Sequence, residues 1–121
     1  MNVQLLLLIS NDYIICDLEE LDEEPSVYMK NPYKVDSLTY WDYNDDDKHF
    51  PPDNAVFLRT TEERNIKDQK EIISVQTDYA QLTKYPDFTN DDDVLMRSDR
   101  IITVVEPSPE VLNLYTKLIS K

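Results

Sequence analysis

The chain has 121 residues, 40% of them apolar and 31% charged, and its 12 Lys and Arg against 25 Asp and Glu give a net charge of −13. That is enough apolar chain for one core and one domain, and too much acid for phosphate or an anionic membrane to be attracted by a global field, so a nucleic-acid contact needs a local basic patch. Glycine is absent, which excludes P-loops and dinucleotide-binding glycine fingerprints, and the lone Cys16 excludes an internal disulfide or a cysteine-rich zinc site.

Residues 3–9 predict a first strand. The unbroken apolar run from Leu5 to Ile9 implies burial on both faces or a subunit contact. It is far shorter than the ~20 residues that span a bilayer, and no Lys or Arg precedes it, so it reads as a strand of a soluble protein. Ser10-Asn11-Asp12 makes a tight turn into a second strand over 13–21, in which Cys16 follows Tyr13-Ile14-Ile15 as a small buried hydrophobe rather than a nucleophile. An acidic loop, 19–25, ends at Pro25.

Residues 26–43 read as one long extended segment. Strict alternation puts Val27, Met29, Asn31, Tyr33 and Val35 on one face and Tyr28, Lys30, Pro32, Lys34 and Asp36 on the other. Pro32 removes a ladder donor, so it belongs at an edge or a bulge. Residues 42–71 read as an insertion or long loop, with a short strand at 55–61 and one helical turn within 62–70. Strand character resumes over 71–82, and a turn-rich stretch leads to "VLMRSDRIITVV", two apolar strands about the polar hinge 97–100. Without glycine, turns of positive φ fall to Asn and Asp, with Asn11-Asp12, Asn44-Asp45, Asn90-Asp91 and Ser98-Asp99 the places expected. The chain closes on a helix over 108–120: Ser108 as N-cap, Pro109 in the first turn, Glu110 at the positive end of the dipole, and an apolar face of Val111, Leu112, Tyr115, Leu118 and Ile119. The pattern predicts a single mainly β domain, a small curved antiparallel sheet or barrel of about five strands capped by a C-terminal helix, with an insertion between strands.

Few side chains suggest chemistry. Asp42, Asn44 and Asp46 have EF-hand-like spacing, but Asp47 stands where the loop needs glycine and Asp53 where it needs glutamate, so the stretch reads as a solvated acidic loop. The only histidine, His49, lies in the same stretch with no nucleophile-elbow sequence. We therefore expect no enzyme, metal or cofactor. Tyr13, Tyr33 and Tyr79 fall within strand patterns and read as packing residues rather than base-stacking ones. The continuous apolar run after Arg100 exceeds what one sheet face needs, which marks Arg100, Ile101, Ile102, Thr103, Val104 and Val105 as a strand that pairs with another subunit.

"VLMRSDRIITVV" resembles the second signature of Sm-like proteins, in which a strand ends in an arginine-containing turn and an apolar strand follows. "VQLLLLISNDYIICDLEEL" with "VYMKNPYKV" is similar to the first signature, two strands about a tight turn and a third entered through a loop. Together with the "TVVEPSPEVLNLY" tail, the likeness is to the Sm-like proteins of tailed phages of marine cyanobacteria. It covers 3–35 and 84–119. Arg97 matches the signature arginine, Ser98 stands in place of its glycine, and the helix comes last instead of first. The resemblance implies a homo-oligomeric ring of about five to seven copies, working in the cytoplasm of an infected bacterium as an interaction or scaffold protein. One alternative is an RNA-binding ring using Tyr28, Lys30, Asn31, Arg97 and Arg100. Another is an acidic nucleic-acid mimic that occupies a host protein.

Overall fold

The computed structural model describes residues 1–22, 25–43 and 50–120. The described residues form seven strands and one terminal helix: β1 Val3–Leu8, β2 Tyr13–Glu20, β3 Ser26–Tyr43, β4 Ala55–Lys67, β5 Lys70–Lys84, β6 Asp93–Arg97, β7 Ile101–Val105 and α1 Pro109–Ile119. All pairings are antiparallel, in the order β4-β5-β3-β2-β1-β7, with β6 also on β3. The sheet is open, and it has seven strands rather than the expected five. No helix among the described residues is long and apolar enough to cross a membrane.

The main difference lies in β4, which runs on through a stretch expected as a loop. Instead of a short strand and a helical turn, residues 55–67 form one strand that pairs with β5 through Lys67↔Lys70. The reversal between them is two residues, Asp68 (φ 54°) and Gln69 (φ 63°), the left-handed pair that a tight hairpin requires. Most of β4 is exposed, so no apolar alternation betrays it in the sequence. Of the predicted positive-φ turns, Asn11 (φ 70°) adopts that conformation, whereas Asn90-Asp91 and Ser98-Asp99 do not. The others are Asn31 (φ 48°) and, at a strained position for a bulky residue, Phe88 (φ 69°).

β3 organises the sheet through a bulge. Against β2, Ile15 faces Tyr33 and Asp17 faces Lys30, so Asn31 and Pro32 together oppose Cys16. Pro32 thus sits at a bulge, as its missing N–H demands. The strict alternation expected for 27–35 is broken there. Val27 and Met29 join one core with Leu6, Leu8, Ile14, Cys16 and Leu18, while Tyr33 and Val35 point to the opposite face. On β3's other side the partner changes at the same place, from β6 (Lys30↔Asp93) to β5 (Tyr33↔Lys84).

The part β6-β3-β2-β1-β7 must curl. Five flat strands spaced about 4.8 Å apart would hold their outer members about 19 Å from each other. Yet β6 and β7, the two outer members, are joined only by the 3-10 turn Ser98–Arg100, whose residues rise about 2 Å each. The curl encloses the first core, and β1 is buried on both faces: Leu6 and Leu8 lie inside, Val3 and Leu5 outside under the helix.

Helix α1 covers that outer face. Ser108 caps it through a hydrogen bond accepted from the Val111 amide at 3.4 Å. The buried stripe is Val111, Leu114 and Tyr115, with Leu118 and Ile119 partly buried against the same cluster. Leu114 takes the central place that the sequence reading gave to Leu112, which is only half-buried. Tyr115 is fully buried, stands edge-to-face with Tyr33 (centroids 5.8 Å apart), and donates its hydroxyl to the carbonyl of Asn31 at 2.9 Å, with that of Lys30 at 3.2 Å. The helix is thereby tied to the bulge that directs β3.

Candidate functional site

The open seam of the curl is the most distinctive surface. β7 pairs with β1 through Leu5↔Val105, Leu6↔Val104, Leu7↔Thr103 and Leu8↔Ile101, and β6 pairs with β3, but no ladder joins β6 to β7. Each strand therefore keeps one edge without a strand partner among the described residues. Ile101 packs on the inner core, whereas Ile102 is 58% exposed and Val104 and Val105 are 45% exposed. A groove of about 500 Å³ lies beside β7, between it and the end of β2 and start of β3, lined by Leu18, Val27, Ile101, Ile102 and Val104 together with polar Glu20, Ser26, Ser98 and Thr103. On β6, Leu95 is also exposed. Such an edge, with apolar side chains and open backbone groups, is a template for strand addition. The sequence pointed to 100–105 from its apolar run; the contribution of Leu18 and Val27 arises only from the curl.

The residues considered for RNA spread along the β3–β6 ladder and the turn that follows it. Lys30 faces Asp93 at one end of the β3–β6 ladder and Arg97 faces Ser26 at the other, four positions or about 13 Å along the strand. Tyr28 lies between them, opposite Leu95, with its hydroxyl 3.5 Å from an Asp93 carboxylate oxygen. Asn31 is committed to the bulge, its amide donating to Asp92 O at 2.8 Å. Each cation already has an acid. Lys30 Nζ is 3.2 Å from Glu19, Arg97 is 3.4 Å from Asp99, and Arg100 is 3.9 Å from the same carboxylate. The Glu19 hydrogen bond and charge hold the Lys30 ammonium above its ordinary value. Of the cations nearby, Lys34 stands 3.5 Å from Asp12 and 3.8 Å from Asp36, and Lys84 stands 3.5 Å from Asp92. A polyanion would have to displace these carboxylates before it gained a phosphate contact.

The remaining candidates divide simply. Cys16 is fully buried, and burial, with Asp17 adding to it, pushes its thiol up to about 12. The thiolate needed for nucleophilic or metal-binding chemistry is therefore scarce at neutral pH. Residues 44–49, which carry most of the calcium-like pattern and His49, lie outside the described residues, as do Glu23 and Glu24. Tyr33 packs on Tyr115, and buried Tyr79 meets Tyr40 and Phe57 edge-to-face at 5.8 and 6.2 Å; Tyr13 is half exposed.

One polar cluster escaped the sequence reading. Asp78 on β5 is only 5% exposed and accepts hydrogen bonds from Thr39 Oγ1 (2.9 Å), Gln76 Nε2 (3.0 Å) and Arg59 Nε (2.9 Å). It ties β3, β5 and β4 together on the face where the helix ends its cover. The Gln76 and Thr39 bonds, then Arg59, hold its carboxyl below the usual range despite burial. A depressed folded-state pKa stabilises the fold above the unfolded value of about 3.9 and loses that contribution as pH falls through the folded value. In acid-unfolding experiments, Asp78→Asn should therefore be less stable than the native chain near pH 6, and the gap should close as pH drops below about 4. A gap that stays constant to pH 2 or so would remove the assignment.

Fold and surface together define a mainly antiparallel β-protein with a C-terminal helix and an apolar, unclosed strand edge. The chain belongs to the family described as "Family of unknown function (DUF6561)", whose model matches residues 1–120. No curated protein matches it.

Proposed function

We propose that the protein is a non-enzymatic, Sm-like subunit that closes into a homo-oligomeric ring and acts as an interaction scaffold. The observation that carries the reading is the unclosed seam. The two segments that resemble the Sm-like signatures, 3–35 and 84–119, supply β1, β2, β6, β7 and β3 as far as Val35, and the two outer strands of this curled unit each retain a free edge among the described residues, with a groove beside β7. Pairing β7 of one copy with β6 of the next would satisfy both edges and cover Ile102 and Val104. A head-to-tail contact of this kind closes into a ring when its rotation closes. The hairpin of β4 and β5, outside both signatures, extends the sheet away from the seam.

A scaffold role is favoured over RNA binding because each candidate cation is paired with acid. The test is sedimentation velocity of the pure protein at micromolar concentration. A single boundary of about five to seven copies is expected; a clean monomer removes the reading.

A further inference from the structure

The opposite end of the sheet carries a second open edge. β4 is the terminal strand there, paired only with β5 among the described residues, and it is exposed from Phe57 to Lys67. An edge this long is an aggregation hazard unless charge restricts what it can pair with. The charges on β4 are arranged in an order that rejects most partners and fits one.

Two copies of a strand that pair antiparallel about a two-fold axis place a residue opposite itself, with side chains of one face staying on that face. Centred on Thr61, the pairing sets Arg59 opposite the other copy's Glu63, twice over, and Thr60 opposite Glu62. Centred on Glu62, it sets glutamate against its own copy; centred on Glu63, it does the same and sets Arg59 against Lys67, although Glu62 then meets Arg64. Centred on Thr60, it brings no opposite charges together. Arg59, Thr61 and Glu63 face Asp78, Gln76 and Ser74 on β5, and so share one face. The side chains are prepared for the role. Asp78 takes the Nε–H of Arg59 at 2.9 Å, which steadies a planar fork whose terminal amino groups can still take a second carboxylate. On the other face Arg64 is already bound to Glu62 (2.8 Å) and Glu71 (3.5 Å). Glu63 makes no ion pair among the described residues. The bulge at Leu58, between Phe57↔Tyr79 and Arg59↔Asp78, ends the regular edge just beyond the Arg59 position.

We propose that β4 pairs with β4 of a second copy, antiparallel and centred on Thr61, which joins two sheets into one across a two-fold axis. The repulsive registers supply the specificity and the Arg59–Glu63 pairs the attraction. The contact lies at the far end of the sheet from β7, so it stands or falls independently of the ring.

The experiment is disulfide trapping of the full chain under mild oxidation by oxidised glutathione, with buried Cys16 left in place. Thr61→Cys puts the new thiol beside its own copy. Ile66→Cys, equally exposed, would lie about 33 Å from its copy in this register. Thr61→Cys should form covalent dimer about tenfold faster than Ile66→Cys, because its local thiol concentration is set by the pairing. Adding Glu63→Arg to Thr61→Cys should lower that rate to the Ile66→Cys level. Equal rates for the two cysteine variants would overturn the pairing, and trapping indifferent to Glu63→Arg would overturn the register.

Discussion

Replacing Tyr115 by alanine should cost about 4 kcal/mol, the largest loss expected from any single side chain of the helix. The side chain is fully buried, meets Tyr33 edge-to-face, and bonds the carbonyl of Asn31. Removing it leaves a cavity between helix and sheet and frees a carbonyl at the bulge that redirects β3. Against a total stability of about 5–15 kcal/mol for a domain, that is a large share, and the melting temperature should fall by about 15 °C. Tyr115→Phe separates the two contributions: it keeps the packing, loses the hydrogen bond, and should cost about 1–2 kcal/mol. Equal losses in the two variants would mean that the hydroxyl, and not the ring, carries the docking.

Ile102→Asp should have the opposite profile, with little effect on the folded monomer and a large effect on assembly. Ile102 is 58% exposed in the single chain, and exposed substitutions usually stay within about 0.5 kcal/mol. In the ring we propose, the same side chain would be covered by the neighbour's strand, and a carboxylate placed there would be desolvated without a partner. A central interface residue is worth about 2 kcal/mol or more, so each contact should weaken by about thirtyfold or more. Thermal unfolding at low concentration should be unchanged while the oligomer dissociates. Loss of the fold itself would show Ile102 to be a core residue, contrary to its exposure.

How far the sequence could be read depends on where each residue's constraint comes from. Pro32 announced the bulge because a missing N–H is a local fact. The unbroken apolar run of β1 pointed to burial on both faces or a subunit contact, and the strand is fully buried on its inner face and partly buried on its outer one. Leu114 was missed because Leu112, next to Val111, widened the apolar arc of the helix; the tight stripe of Val111, Leu114, Tyr115 and Leu118 follows the helical period more closely. The parity of β3 was misread beyond Asn31 because nothing in 27–35 tells a strand that its neighbour is one residue shorter there. The second half of β4, read as a helical turn, was hidden by its exposure, and its turn by using Asp68 and Gln69 where glycine is the usual signal. The edge at 100–105 was legible as an apolar excess. The groove beside it was not, since Leu18 and Val27 reach Val104 only through the curl. The dispersal of Lys30 and Arg97 likewise depends on register, which short motifs do not carry.

The central claim is that the unclosed seam between β6 and β7 is closed by another copy of the chain. Native mass spectrometry of the pure protein at micromolar concentration addresses it most directly, because it counts copies. The account predicts one dominant assembly of about five to seven chains, or its face-to-face double if the β4 contact also forms. A spectrum dominated by single chains would contradict it.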